Sequence, residues 1–97
     1  MSYKVVFDHP AIRRNFEKSL KALSIKLQDD VMEAVSGLAA NPRPYGIVKI
    51  KPPVSIYNFI AEYRLRVGNY RVLYDMGDKK KVVSVIALRK RDEKTYN

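Results

Sequence analysis

The 97-residue chain has no cysteine, no tryptophan and a single histidine. Without cysteine it has no disulfide, no thiolate nucleophile and no cysteine-based metal site, a composition suited to a reducing compartment. The lone His9 cannot build a histidine cluster, and no serine, aspartate and histidine set is placed to form a triad. Zinc-ligand spacing and a phosphate-loop glycine motif are also missing, so neither a metal nor a cofactor is expected. No apolar run reaches about 18 residues, and Met1 to Asp8 lacks the hydrophobic segment of a signal peptide. These absences predict a cytoplasmic protein with no membrane partner. A typical domain takes roughly 100–200 residues, so the chain is expected to form one unit over residues 1–97.

What the chain does have is positive charge. Nineteen Lys and Arg stand against ten Asp and Glu, net +9, in a sequence that is 46% hydrophobic and so well able to fold. The charge is uneven: residues 1–43 carry net +2 and residues 44–97 carry net +7. The C-terminal half is the electropositive half, and an anion is its natural complement.

Tyr3 to Phe7 is short, β-branched and aromatic, and predicts a first strand closed by Asp8-His9-Pro10. Ile12, Phe16, Leu20 and Leu23 then recur at helical spacing, as do Leu27, Val31, Ala34, Val35 and Leu38 up to Ala40. One helix over residues 10–40 would be about 46 Å long at 1.5 Å per residue, too long for so small a domain to cover. Ser24 suits the N-cap of a second helix, so a hairpin of two helices is expected. Asn41-Pro42-Arg43-Pro44 and Pro52-Pro53 predict a loop, with at most a short extended piece at Ile47 to Ile50.

Between Phe59 and Val67 the period becomes two. Phe59, Ala61, Tyr63, Leu65 and Val67 are expected on one face, and Glu62, Arg64 and Arg66 on the other. Gly68-Asn69 marks a turn, Tyr70 to Asp75 a strand, Gly77 to Lys80 a second turn and Lys81 to Leu88 another strand. The expected fold is α+β: an N-terminal strand and a two-helix hairpin packed on one face of a small, mainly antiparallel sheet of about four strands. The opposite face is expected to meet solvent and to carry Arg64 and Arg66.

The informative set is Arg64, Arg66, Arg71, the run Arg89-Lys90-Arg91, and Tyr96. Arg64 and Arg66 project from one face of a strand and suit adjacent phosphates, while Arg71 opens the next strand across the turn. Pairing of Arg71 with Asp75 or Glu62 would account for it equally well. Lys79-Lys80-Lys81 is a candidate RNA contact or a solvated turn, and Arg89 and Lys90 are RNA-binding candidates at the end of an apolar strand. Tyr63, Tyr70 and Tyr74 are expected to serve the core, and His9 to cap a helix or face solvent. Tyr96 lies in a polar tail, where docking, base stacking and proton transfer all suit it.

Cations and phenols are compatible with RNA cleavage. The 2′-hydroxyl attacks its own adjacent phosphate, so a protein accelerates the reaction by aligning the attack, neutralising the phosphorane and assisting proton transfer, with no metal required. Arginine stays protonated, which assigns Arg64 and Arg66 to phosphate stabilisation and leaves Tyr96 or Lys90 for proton transfer.

The block Tyr63-Arg64-Leu65-Arg66-Val67-Gly68-Asn69-Tyr70-Arg71-Val72-Leu73-Tyr74 resembles the RelE/ParE superfamily of bacterial and archaeal type II toxins, especially the RelE-type messenger-RNA interferases. The resemblance extends over nearly the whole chain, from the first strand and the helical hairpin ending in Asn41-Pro42-Arg43 to the basic segment through Tyr96. It implies an endoribonuclease that enters the ribosomal A site and cuts messenger RNA. Arg64 and Arg66 resemble the paired basic residues at the scissile phosphate, Arg71 the arginine of the next strand, Arg91 the arginine after the last strand, and Tyr96 the terminal tyrosine. A RelB-like antitoxin with an acidic wrapping segment is the implied partner, beside ribosome and messenger RNA, and operator DNA would be met only through the antitoxin complex. The alternatives are the ParE-type branch, which poisons DNA gyrase without cutting RNA, and a nonenzymatic RNA-binding domain. Where the family has Gly-His or Gly-Lys before the terminal arginine, this chain has Leu88-Arg89.

Overall fold

The computed structural model describes residues 2–44, 47–56 and 58–90. Its elements are β1 (Lys4–Val6), α1 (Pro10–Lys21), α2 (Ile25–Gly37), β2 (Val48–Ile56), β3 (Phe59–Val67), β4 (Tyr70–Gly77) and β5 (Val82–Lys90). The strands form one sheet in the order β1-β5-β4-β3-β2, antiparallel except for β1, which runs parallel to β5. The fold is α+β, as the sequence pattern predicts.

The helical hairpin breaks where its caps require. His9 caps α1, its Nδ1 accepting the Ala11 N–H at 3.0 Å, with Pro10 in the first turn. Ser24 caps α2, its hydroxyl accepting the Leu27 N–H at 3.2 Å, and the Gln28 side chain donates to the Leu23 carbonyl across the break at 2.9 Å. The second helix stops at Gly37, short of Ala40, and the amides of Ala40 and Asn41 then donate to the Gly37 carbonyl.

Phe16, Leu23, Val31, Val35 and Leu38 from this hairpin bury against Val72, Tyr74, Val83, Val85 and Leu88 of β4 and β5. Each such aliphatic side chain contributes about 1.5–3 kcal/mol when fully buried. Tyr63, Leu65 and Val67 of β3 pack on the same cluster, with Tyr63 and Tyr74 stacked at 5.8 Å between ring centroids. Tyr74 is fully buried and donates its hydroxyl to the Pro42 carbonyl at 2.8 Å, which ties the segment after α2 to the sheet. Burial, with Tyr63 adding, pushes the Tyr74 phenol up to about 12.

Two expectations are corrected. The segment expected as loop beyond Ile50 is strand: β2 continues through Pro52-Pro53 to Ile56 and makes the sheet five-stranded rather than about four-stranded. Proline cannot donate to a ladder, but β2 lies at the edge of the sheet and its register with β3 shifts between Lys49 and Val54, where both prolines fall. The face expected to meet only solvent carries a second apolar cluster of Ile50, Ala61, Leu73, Ile86 and Ala87, with Val54, Ile56 and Phe59 packed on it. Phe59 and Ala61 therefore belong to this second cluster and not with Tyr63, Leu65 and Val67. Leu73 points away from its buried neighbours Val72 and Tyr74 because side chains alternate along β4, so the sheet is covered on both sides at its centre.

Candidate nucleic-acid interface

The arginines gather at one end of the second face. Gly68, at φ 59°, and Asn69 form a two-residue turn between β3 and β4. This turn sets Arg66 opposite Arg71, and across β4 and β5 Arg71 stands opposite Arg89. Directly paired residues in antiparallel strands share a face with Cβ atoms about 5 Å apart, so three guanidinium-bearing residues form a row of about 10 Å across three strands. Arg64, opposite Leu73, lies on the same face two residues from Arg66. Arg66 and Arg89 are exposed and Arg64 and Arg71 half-buried. The Arg66 Nε donates to the Gly68 carbonyl at 3.3 Å, which draws its head toward the turn, and the Arg71 Nη1 is shielded from solvent.

The third member of the row depends on one irregularity. The β4–β5 register places Tyr74 opposite Val85 but Leu73 opposite Ala87, so Ile86 is an extra residue on β5. Without it Leu88 would stand across from Arg71; with it Leu88 packs on the helix-side cluster and Arg89 joins the row. Lys90, opposite Tyr70, falls by alternation on the helix side, away from the row. The neighbours Arg89 and Lys90, grouped by sequence, are thus separated by the sheet. A cavity of about 70 Å³ between α1 and the end of β5 has Asn15, Ser19 and Arg89 on its polar side and Ile12, Ile56 and Ile86 on its apolar side.

Lys79-Lys80-Lys81 does not join the site. It sits at the turn beyond Gly77, six residues along β4 from Arg71 and so about 20 Å away at 3.3 Å per residue. There charges of both signs meet. Arg43 Nη2 lies 2.8 Å from Asp78 Oδ2, Tyr3 donates its hydroxyl to Asp78 Oδ1 at 2.7 Å, and the Lys81 ammonium lies 5.2 Å from the centroid of the Tyr3 ring. The hydrogen bond from Arg43, helped by that from Tyr3, holds the Asp78 carboxyl below its ordinary value, and the same pair raises Arg43. A groove of about 460 Å³ at this end is lined by Lys4, Lys80, Asp8 and Asp75 among others. Burial pushes the Asp75 carboxyl up, with Glu62 and Asp8 adding and a backbone hydrogen bond from Met76 opposing. Arg91 and Tyr96 lie outside the described residues.

The fold that carries this arginine row on one face and the helical hairpin on the other is found in solved toxin structures. A chain of the archaeal RelE–RelB complex from Pyrococcus horikoshii superposes with a TM-score of 0.70 at 25% identity, covering 96% of this chain and 99% of that one. The RelBE2 toxin–antitoxin complex from Mycobacterium tuberculosis gives 0.60 at 22% identity, covering 94% and 100%. The isolated RelE toxin of Escherichia coli gives 0.63 at 19% identity, covering 97% and 89%. Among curated proteins none matches the chain. In sequence, residues 10–95 match the family described as the ParE toxin of type II toxin-antitoxin system, parDE, and the chain belongs to that family.

Proposed function

We propose that the chain is a ribosome-dependent endoribonuclease toxin that cuts messenger RNA in the A site by attack of a 2′-hydroxyl on the adjacent phosphodiester. The observation that carries this reading is the row Arg66–Arg71–Arg89 with Arg64 beside it, four guanidinium-bearing residues on one face. In that role Arg71, half-buried at the centre, stabilises the charge that develops on the phosphorane, while Arg64 and Arg66 hold the scissile phosphate in line. Arg91 adds a cation and Tyr96 assists proton transfer. Net +9 suits an acidic antitoxin segment, and the RelE–RelB and RelBE2 complexes support a RelB-like partner through which operator DNA would be met. The setting is cytoplasmic; among the described residues no helix is long and apolar enough to cross a membrane.

The match to the ParE family favours a second reading, inhibition of DNA gyrase without nuclease activity. Primer-extension mapping of messenger RNA incubated with purified, antitoxin-free protein, with and without translating ribosomes, separates the two. Cuts confined to A-site codons, and only with ribosomes, are expected. Intact RNA in both arms from folded protein, together with loss of gyrase supercoiling, would establish the second reading.

A further inference from the structure

The extra residue at Ile86 and the row it completes point beyond a single phosphate. A row of about 10 Å is longer than one phosphate group, because it crosses three strands at the spacing of a sheet. A nucleic-acid strand laid along it meets Arg66 and Arg71 at one phosphate and Arg89 at the next. Resting on the nuclease reading above, we infer that Arg89 is a positioning residue that binds the phosphate flanking the scissile one, and that the β5 bulge exists to aim it there.

Three observations carry this. Arg89 stands directly opposite Arg71 in the register, and its neighbour Lys90 faces the other side of the sheet. Its side chain is exposed, whereas Arg71 is half-buried, so Arg89 is accessible to a strand that passes over the face. Setting like charges directly opposite one another destabilises a sheet, yet here the register shift that brings Arg89 into the row keeps Ile86 itself 4% exposed in the second cluster. Bulges of this kind bend a strand and re-aim side chains beside active sites.

A contact to a non-reacting phosphate is made equally in the ground state and the transition state, so its loss raises KM and leaves kcat nearly unchanged. With ribosomes programmed by a defined messenger, Arg89→Ala is expected to raise KM about tenfold, the scale of a lost charge-assisted hydrogen bond, whereas Arg71→Ala lowers kcat. Arg89→Lys is expected to recover KM to within about threefold, since a point charge serves a phosphate. The decisive arm uses two messengers in which the phosphodiester 5′ or 3′ of the cleaved one is an uncharged methylphosphonate. With one of them the wild type is expected to show the raised KM of Arg89→Ala, and the variant to lose nothing further. Additive losses with both messengers, or a fall in kcat with KM unchanged, would overturn the assignment while leaving the nuclease reading intact. A wild type that cuts neither messenger nor its all-phosphate parent would overturn both.

Discussion

The two ends of the β4–β5 hairpin treat charge in opposite ways. At the end that holds the Gly77–Val82 turn, opposite charges and dipoles meet: Asp78 takes Arg43 and the Tyr3 hydroxyl, and Lys81 lies over the Tyr3 ring. At the other end the register sets Arg66, Arg71 and Arg89 side by side. The first arrangement ties β1, the segment after α2 and the β4–β5 turn together. The second concentrates positive charge on one face, to which an external anion is complementary. Within one hairpin, charge at one end serves the fold and at the other, in the proposed function, a ligand.

The strongest way to break this contrast is at the centre of the row. Arg71→Ala is expected to lower A-site cleavage by about 10²–10³-fold, the scale of losing one preorganised donor to a developing oxyanion, and to relieve toxicity in growing cells. Antitoxin binding, measured by co-purification, should persist. Full toxicity in this variant would remove Arg71 from the chemistry. At the fold-serving end of the argument, Tyr74→Phe leaves the Pro42 carbonyl without its buried donor and is expected to cost about 1–3 kcal/mol in denaturant unfolding, with cleavage per folded molecule retained.

The smallest and sharpest effects are in pH. The Asp78 carboxyl is held down in the folded protein, so it contributes stability above its unfolded pKa of about 3.9, and that contribution is lost as pH falls through the lower folded value. Asp75 is pushed up, so the sign reverses: folding is favoured while Asp75 is protonated, and that advantage is lost as pH rises through its folded value. Asp78→Asn should therefore lower the thermal midpoint at pH 7, and Asp75→Asn should raise it. Both differences are expected to fade in melts taken below the carboxylate range, and the Asp78 effect also to shrink in salt because that pair is exposed. Shifts of the same sign for the two variants would show that Asp75 and Asp78 are not held in opposite ways at this end.

Much of this was legible in the residues themselves. Caps are local, so Ser24 fixed the helix break, and Gly68-Asn69 fixed the hairpin that brings Arg66 to Arg71. Alternation put Arg64 and Arg66 on one face. What escaped was non-local. Pro52-Pro53 reads as loop in any window, and only the edge position and shifted register of β2 admit it to the sheet. The apolar cover over Leu73 and Ile86 follows from that strand and was hidden with it. The extra residue Ile86 leaves no local signal, because Val85-Ile86-Ala87-Leu88 reads as an unbroken apolar run; yet it decides that Arg89 and not Lys90 faces the site. Lys79-Lys80-Lys81 reads as a turn from its residues alone, but only the strand length shows that this turn lies at the far end from the arginines.

The edge strand β2 has a consequence for self-association. A nine-residue outermost strand ordinarily invites a second copy to extend the sheet, and a basic protein with an apolar cluster beneath that strand would be prone to fibrous assembly. Pro52 and Pro53 remove two backbone donors from this edge strand and break its regularity, and Lys49 and Lys51 place like charges where the next strand would dock. The same segment that conceals the fifth strand from sequence reading keeps one molecule from templating the next, so the toxin can stay dispersed in the interval when no antitoxin covers it.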